Sequence, residues 1–381
     1  MKITALTTYL VEPRWLFLKV DTDTGPSGWG EPIVEGRAHT VRAAIDEMAD
    51  YLVGTDPLRI EDTWQVLTKG GFYRGGPILS SAISGIDQAL WDIYGKHVGL
   101  PVHQLLGGRV RDRIRTYSWI GGDHPQDVAA QAELRRDQGF TAVKMNASGR
   151  LTAHPSAREL DEIVERVAAV SEVMGPHGGV AVDFHGRLSV AAARQLSKLL
   201  EPLRPMFIEE PVVPELGTTL GSIVANTAIP VATGERLYSR WDFRSVLEAG
   251  VSVVQPDLSH AGGISESRRI AAQAETYGAH IAPHCPLGPI AFAACLQLDL
   301  ATPNFLIQET SLGIHYNVGA DLTSYLVDPD AFQLRDGAIP AWEKPGLGVD
   351  IDEKAVAHAA SRGHRWRSPT WRTDDGAFTE W

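Results

Sequence analysis

The chain is poor in cysteine, with two in 381 residues. Cys285 and Cys295 have neither the spacing of a thiolate metal site nor the number for a disulfide framework, and Cys285 reads as a small buried hydrophobe. No apolar run approaches the roughly 20 residues of a membrane span. The opening MKITALTTYLVEPRW lacks the charged start and apolar stretch of a signal peptide. Positive charge is also short: 35 Lys and Arg against 47 Asp and Glu, a net charge of −12. That balance argues against nucleic acid or an anionic membrane as partner, and it hints at carboxylates clustered to hold cations. The glycine-rich pieces at 70–76, 106–109 and 261–265 fit neither the P-loop nor the dinucleotide fingerprint. What remains is the composition of a soluble cytoplasmic enzyme, 44% hydrophobic and 22% charged, with length for two or three domains.

Two textures follow each other along the chain. Up to about residue 115, β-rich runs (Ile3–Val11, Trp15–Val20, Gly28–Pro32) precede helical patterns. The spacing of Val41, Ala44, Ile45, Met48 and Leu52 predicts a helix from an N-cap at Thr40 to Gly54. A second helix is predicted over Ser80–Lys96, with Ile83, Ile86, Leu90 and Ile93 on one stripe. This is an α+β module. From about 116 to 349, eight short apolar runs alternate with helical stretches, beginning at Tyr117, Ala142, Val180, Met206, Pro230, Val253, His280 and Phe305. Eight such units close into a parallel barrel. The tail, 350–381, carries Trp366, Trp371 and Trp381 and is expected to pack back on the first module.

The strand ends carry the chemistry. Asp183, Glu209, Glu235, Asp257, His284 and Glu309 recur at steps of 26, 26, 22, 27 and 25 residues, about one βα unit each. In such barrels the active site is built at the carboxyl ends of the strands, so six polar groups at this period converge on one mouth. Any one of them alone would pass for a helix-capping acid. Asp183, Glu209 and Glu235 would repel one another without a cation between them, and all-oxygen ligation favours Mg²⁺ or Mn²⁺ over zinc. In Val180–Phe184 the strand runs into Asp183, and His185 two residues on projects to the same face. Lys144, at the end of the second run, adds a positive charge for an anionic substrate. His280 and His284 have H-x-x-x-H spacing, but Pro283 and the strand context deny them the helix that a zinc motif needs.

Asp257 beside His284 makes a general base, because a carboxylate on one ring nitrogen raises the basicity of the other. His185 enters from the opposite flank as an acid. Such a pair suits removal of a proton α to a carboxylate with departure of a β-hydroxyl, and Glu309 would hydrogen-bond to the substrate carboxylate as charge builds there.

Through GWGEP, GFYRGGPI, SGIDQALWDIYGK, VDFHGR, FIEEPV, QPDLSHAGGI, APHCPLGPIA, SLGIHYN and KPGLGV, the chain resembles the enolase superfamily in its mandelate racemase-like branch. Within that branch it is most similar to the galactonate dehydratase family. The resemblance spans nearly the whole length. It implies a (β/α)₇β TIM-like barrel (116–349) under an α+β capping domain made of residues 1–115 and the tail. It implies Mg²⁺ on Asp183, Glu209 and Glu235, His284 as base supported by Asp257, His185 as acid and Glu309 as stabiliser. The substrate implied is an acid sugar, D-galactonate first, with gluconate and fuconate as alternatives. Racemases of the branch resemble K-x-K at the second strand, whereas this chain reads Lys144-Met145-Asn146. Asn146 takes no proton, so one-way elimination is favoured over racemisation, and Asn146 is left to contact substrate with Lys144. Relatives often have a longer lid where this chain has Val11–Trp15; Arg14, with Tyr73 and Arg74, is assigned to the distal hydroxyls. Relatives also imply a homo-oligomer, a dimer or an octamer.

Overall fold

The computed structural model describes residues 1–381. Its first part is an antiparallel meander, β1 (Ile3–Val11), β2 (Trp15–Thr22) and β3 (Gly28–Gly30), covered by α1 (Ala38–Leu52), α2 (Ile60–Lys69) and α3 (Pro77–Val98). α1 begins two residues before the predicted Thr40, and its N-cap, Arg37, gives it no side-chain cap. The buried stripe of Val41, Ala44, Ile45, Met48 and Leu52 sets this helix instead. α3 starts at Pro77, whose fixed φ and missing N–H suit the first helical turn. α2 went unrecognised: its face buries only Ile60, Thr63 and Trp64, too sparse a pattern to read.

After the single turn α4 (Val102–Leu105) the barrel begins. Its units are β4 (Arg113–Ile120), α5 (Pro125–Asp137), β5 (Ala142–Asn146), α6 (Ala157–Met174), β6 (Gly179–Asp183), α7 (Val190–Leu200), β7 (Phe207–Glu209), α8 (Leu220–Val224), β8 (Val231–Thr233), α9 (Arg240–Glu248), β9 (Val253–Val254), α10 (Gly263–Thr276), β10 (His280–Ile281), α11 (Pro289–Ala301) and β11 (Gln308–Thr310). Each strand pairs in parallel with its sequence neighbour from β4 to β10, and β11 lies beside β4. A parallel bridge from Ile281 to Phe305 closes the ring. The last run is read as beginning at Phe305, but the strand starts at Gln308 and ends at Thr310. Local sequence starts the helices: Ser156 caps α6 in a box with Glu159, Ser189 caps α7, and Ser239 caps α9.

The barrel interior is filled by one residue from each strand region: Tyr117, Ala142, Ala181, Phe207, Ala232, Val253, Ala282 and Ile307, all buried. Side chains alternate along a strand, so the next inward position lies two residues later. For five of the eight strands that position is Lys144, Asp183, Glu209, His284 or Glu309. The apolar floor thus sets the height of the polar layer above it.

The tail follows β12 (Ala338–Pro340), which pairs antiparallel with β4. α12 (Glu353–Ser361) packs on β1, and Glu353 pairs with Lys19 at 3.0 Å. The final hairpin, β13 (Trp371–Arg372) and β14 (Phe378–Thr379), goes elsewhere. Arg150 donates to the Arg372 carbonyl at 2.7 Å, and Thr379 to that of Leu151 at 2.6 Å. The tail thus packs back on the first module through α12, while its final hairpin packs on the barrel instead. Trp371 lies over Arg187 of the barrel, while Trp381 pairs with Trp366 and stays 42% exposed.

Candidate active site

The ligand oxygens of Asp183, Glu209 and Glu235 lie within 4.8 Å of one another at the carboxyl ends of β6, β7 and β8. Glu209 Oε2 is buried without a hydrogen-bond partner, and Asp183 Oδ2 is buried against the His185 ring, 2.9 Å away. Burial raises the Glu209 carboxyl well above the usual carboxylate range, and Asp183, Glu309 and Glu235 push it the same way against the pull of Lys144. Acids crowded in this way could hold a metal ion, with carboxylate oxygens as the ligands.

Lys144 Nζ is 2.7 Å from Glu209, 2.8 Å from Glu309 and 3.8 Å from Asp183. Burial would discharge this ammonium, but Glu209 and Glu309 hold its pKa well above the usual lysine value. It therefore bridges the acids of the mouth as well as offering charge to a ligand. Asn146 Oδ1 is buried without a partner, an acceptor turned into the same region.

His284 occupies one flank. Its Nδ1 is 2.8 Å from Asp257 Oδ2, and its Nε2 is 3.1 Å from Glu235 and 3.9 Å from Glu309. Burial disfavours the imidazolium, yet Glu235, Glu309 and Asp257 outweigh it and raise the pKa well above that of a free histidine. Asp257 is buried, which favours the acid form, but His260 and His284 keep its pKa below the ordinary value. The Ser259 N–H fixes its other oxygen at 2.6 Å. His260, 3.6 Å from Asp257, is a neighbour that the sequence reading did not single out. Glu309 accepts from the Cys285 N–H at 2.9 Å.

His185 occupies the other flank, with Nε2 2.9 Å from Asp183 Oδ2. Its route there differs from the strand alternation first invoked. β6 stops at Asp183, and His185 adopts φ +54 in a tight turn. The turn is held by His185 N–H to Asp183 Oδ1 at 2.8 Å and by Gly186 N–H to the Glu210 carbonyl at 2.7 Å. A Cβ on Gly186 would meet Arg236 and the Val213 backbone inside 3.0 Å, so only glycine fits. Glu210 supports the neighbouring strand ends, accepting from Gly234 N–H at 3.1 Å and Arg236 Nε at 3.0 Å.

The residues assigned to the distal hydroxyls lie in two different settings. Arg14 is 5% exposed; it pairs with Glu35 at 2.8 Å, donates to the Pro286 carbonyl at 2.6 Å and lies under the Tyr316 ring. So engaged, the buried guanidinium braces the loop that follows His284. Tyr73 is 87% exposed, and with Arg74 it lines a cleft of about 470 Å³ shared with Trp64, Arg236, Tyr238 and Trp241. Arg236 also lies 3.9 Å from Glu235, so the cleft adjoins the acidic mouth.

Comparison with known proteins agrees with this architecture. Residues 3–107 match the mandelate racemase / muconate lactonizing enzyme N-terminal domain, and residues 127–355 match the enolase C-terminal domain-like family. The chain is 54% identical to a D-galactonate dehydratase of Ralstonia pickettii and 52% identical to one of Pectobacterium atrosepticum, covering all of each protein and all of this chain. Among solved structures, an enolase from Agrobacterium radiobacter, a candidate galactarate dehydratase bound to Na and L-malate, superposes with a TM-score of 0.92 at 32% identity over the full length of both chains. A candidate dehydratase from Mesorhizobium loti gives 0.88 at 30% identity, covering 94% of this chain and 98% of that one.

Proposed function

This chain belongs to the enolase superfamily, in the mandelate racemase / muconate lactonizing enzyme branch, and from that premise we propose that it is a hydro-lyase that dehydrates D-galactonate to the 2-keto-3-deoxy acid. The observation that carries the reading is the flanking of three converging acids by two histidines in different settings. One has a carboxylate on Nδ1; the other has none there. Asp257 holds His284 by Nδ1 and turns Nε2 toward the acids of the mouth, the arrangement of a general base. His284 takes the C2 proton. The electron pair moves into the C1–C2 region and then expels the C3 hydroxyl, which takes a proton from His185 and leaves as water. The resulting enol tautomerises to the 2-keto acid.

Asp183, Glu209 and Glu235 are assigned as the holders of Mg²⁺. When bound, that ion supplies positive charge against the negative charge that develops on the substrate carboxylate as the C2 proton leaves. Lys144 adds charge from the chain itself, and Glu309, on the His284 side, orients the carboxylate. Asn146 stands where a second base would be needed for racemisation, and its unpaired oxygen suits a substrate hydroxyl. Tyr73 and Arg74 are proposed to reach the distal hydroxyls from the adjoining cleft. The two cysteines are both free and buried, in keeping with a cytoplasmic location. A homo-oligomer, dimer or octamer, is proposed as well; Phe72 and Tyr73, 91% and 87% exposed, give it an apolar contact.

The test is a panel of acid sugars (galactonate, gluconate, fuconate, galactarate) with Mg²⁺ and with chelator, read by 2-keto acid formation. Galactonate is expected to turn over fastest, only with the ion present. No turnover of any member rejects the reading, and a faster second sugar reassigns the substrate.

A further inference from the structure

Four glutamines of the chain are buried, Gln88, Gln255, Gln297 and Gln308, and three of them are spent on the fold. Gln88 accepts from Glu31 N–H at 2.8 Å and donates to the Leu258 carbonyl at 2.8 Å. Gln297 accepts from His103 N–H at 2.8 Å and donates to the Leu347 carbonyl at 3.0 Å. Gln308 donates to the Pro283 carbonyl at 3.0 Å. Gln255 is 1% exposed, and neither its amide oxygen nor its amide nitrogen has a partner. A buried amide unpaired on both sides weighs against folding unless something other than the chain bonds it. Gln255 follows β9, which lies between β8 and β10, the strands that lead to Glu235 and His284. Its N–H donates to the Thr233 carbonyl, two residues before Glu235, at 3.0 Å. Ala282 N–H, two residues before His284, donates to the Val254 carbonyl at 3.0 Å. Val253 belongs to the apolar floor, so alternation turns Gln255 inward at the position that on five other strands holds Lys144, Asp183, Glu209, His284 or Glu309. The floor residues on either side, Ala232 and Ala282, have no polar side-chain group to offer it.

We propose that Gln255 is a further binding residue of the mouth, one that reads the α-hydroxy acid end of the substrate: its oxygen accepts from the C2 hydroxyl and its NH₂ donates to the carboxylate on the adjacent carbon. The inference rests on the dehydratase reading above, which brings C1 and C2 of the sugar acid between Glu235 and His284. A primary amide sets a donor and an acceptor side by side. An α-hydroxy carboxylate presents the matching pair, an O–H on C2 and an accepting oxygen on C1. A carboxylate alone would leave the amide oxygen unpaired. The amide is neutral, so it adds no charge to a mouth already crowded with acids and takes no part in moving the proton. What it supplies is discrimination: an acid without the 2-hydroxyl leaves the buried amide oxygen unmet.

The test uses two acids that cannot lose water, because C3 bears no hydroxyl: the 3-deoxy and the 2,3-dideoxy analogues of galactonate, which differ only in the C2 hydroxyl. Their dissociation constants are measured by calorimetry with saturating Mg²⁺ in the wild type, Gln255→Met and Gln255→Leu. Met keeps the length of the side chain without its polar atoms, and Leu repeats the comparison with another shape. The wild type is expected to favour the 3-deoxy acid. In both variants, folded by circular dichroism, that preference narrows by about 5–10-fold, the usual worth of one hydrogen bond. Equal weakening of both acids, or no change in either, overturns the proposal and leaves the amide to water as part of the fold. A wild type that binds the 3-deoxy acid no better than the dideoxy acid, or not at all, overturns it too. Turnover in the acid-sugar panel is read separately. Galactonate dehydrated alongside an unchanged preference sinks only the role of Gln255. No turnover of any sugar alongside a narrowed preference sinks the dehydratase reading and keeps Gln255 as a contact for an α-hydroxy acid.

Discussion

At the seam between cap and barrel, Glu31 accepts from the N–H groups of Gly288 and Ala291 at 2.7 and 3.0 Å, at the start of α11. Asp87 reaches the start of α10, where Ser265 N–H donates at 3.0 Å and the Ser265 hydroxyl at 2.5 Å. At the barrel mouth, Asp183 and Glu209 are just as buried, yet Glu209 leaves one oxygen without a partner and Asp183 meets only His185 within 3 Å. The first pair satisfies helix N-termini, which present unpaired donors and the positive end of the dipole. The second pair meets no helix start and faces side chains of the mouth instead, Lys144 at 2.7 Å from Glu209 and His185 at 2.9 Å from Asp183. Buried acids of one kind thus sit in two settings, one pair on helix starts across the domain seam and the other crowded together at the mouth.

The sharpest way to break that contrast is to remove the charge at the mouth. Chelation, Asp183→Asn or Glu209→Gln is expected to cut dehydration by about 10³-fold or more, the several kcal/mol that a metal contributes to stabilising developing charge. Initial rates with saturating Mg²⁺ check this. Next come the two flanks. His284→Asn and His185→Asn each lower turnover by about 10²–10⁴-fold, but they divide in heavy water. C2 exchange disappears with His284→Asn and persists with His185→Asn, as read by NMR of recovered substrate.

A smaller effect of the opposite kind belongs to the seam. Asp87→Ala leaves the Ser265 donors unsatisfied in a buried site and is expected to destabilise the fold by about 2 kcal/mol. Glu209→Gln, by contrast, removes an unfavourable charge and leaves the metal-free melting temperature unchanged or higher. Urea unfolding of the two variants side by side tests the contrast. The least effect is the pH slope. Burial pushes Glu31 up to about 8 and Asp87 to about 7, whereas unfolded carboxyls titrate near 4. Between those values the folded chain binds protons that the unfolded chain has lost, so stability falls as pH rises through 7 and 8. Asp87→Asn should flatten that decline between pH 5 and 7 in melts of the metal-free protein.

The barrel was legible because its signal is periodic. Short apolar runs ending in a charged or imidazole side chain recur at nearly one spacing, and alternation lifts Lys144, Asp183, Glu209, His284 and Glu309 one pleat above the apolar floor. Glu235 and Asp257 lie beyond that alternation, in the turns after β8 and β9, and only their spacing marked them. What sequence hid is non-local. Nothing near Glu31 or Asp87 in the chain shows that each meets a helix start more than 170 residues away. An arginine in a short loop such as Arg14 likewise carries no sign of its burial under Tyr316. Arg187 stood within the VDFHGR motif, but its bond to His185 depends on a turn with positive φ and on a tryptophan 184 residues later. Helix α2 was missed for a plainer reason, a face too short to show a stripe.

Calorimetric titration of Mg²⁺ into the wild-type chain and into the Asp183→Asn/Glu209→Gln double variant tests the heart of this reading. One ion per chain in the wild type and none in the double variant, with the variant still folded by circular dichroism, is the expected result. Equal binding by both proteins, or no binding by the wild type, would contradict it.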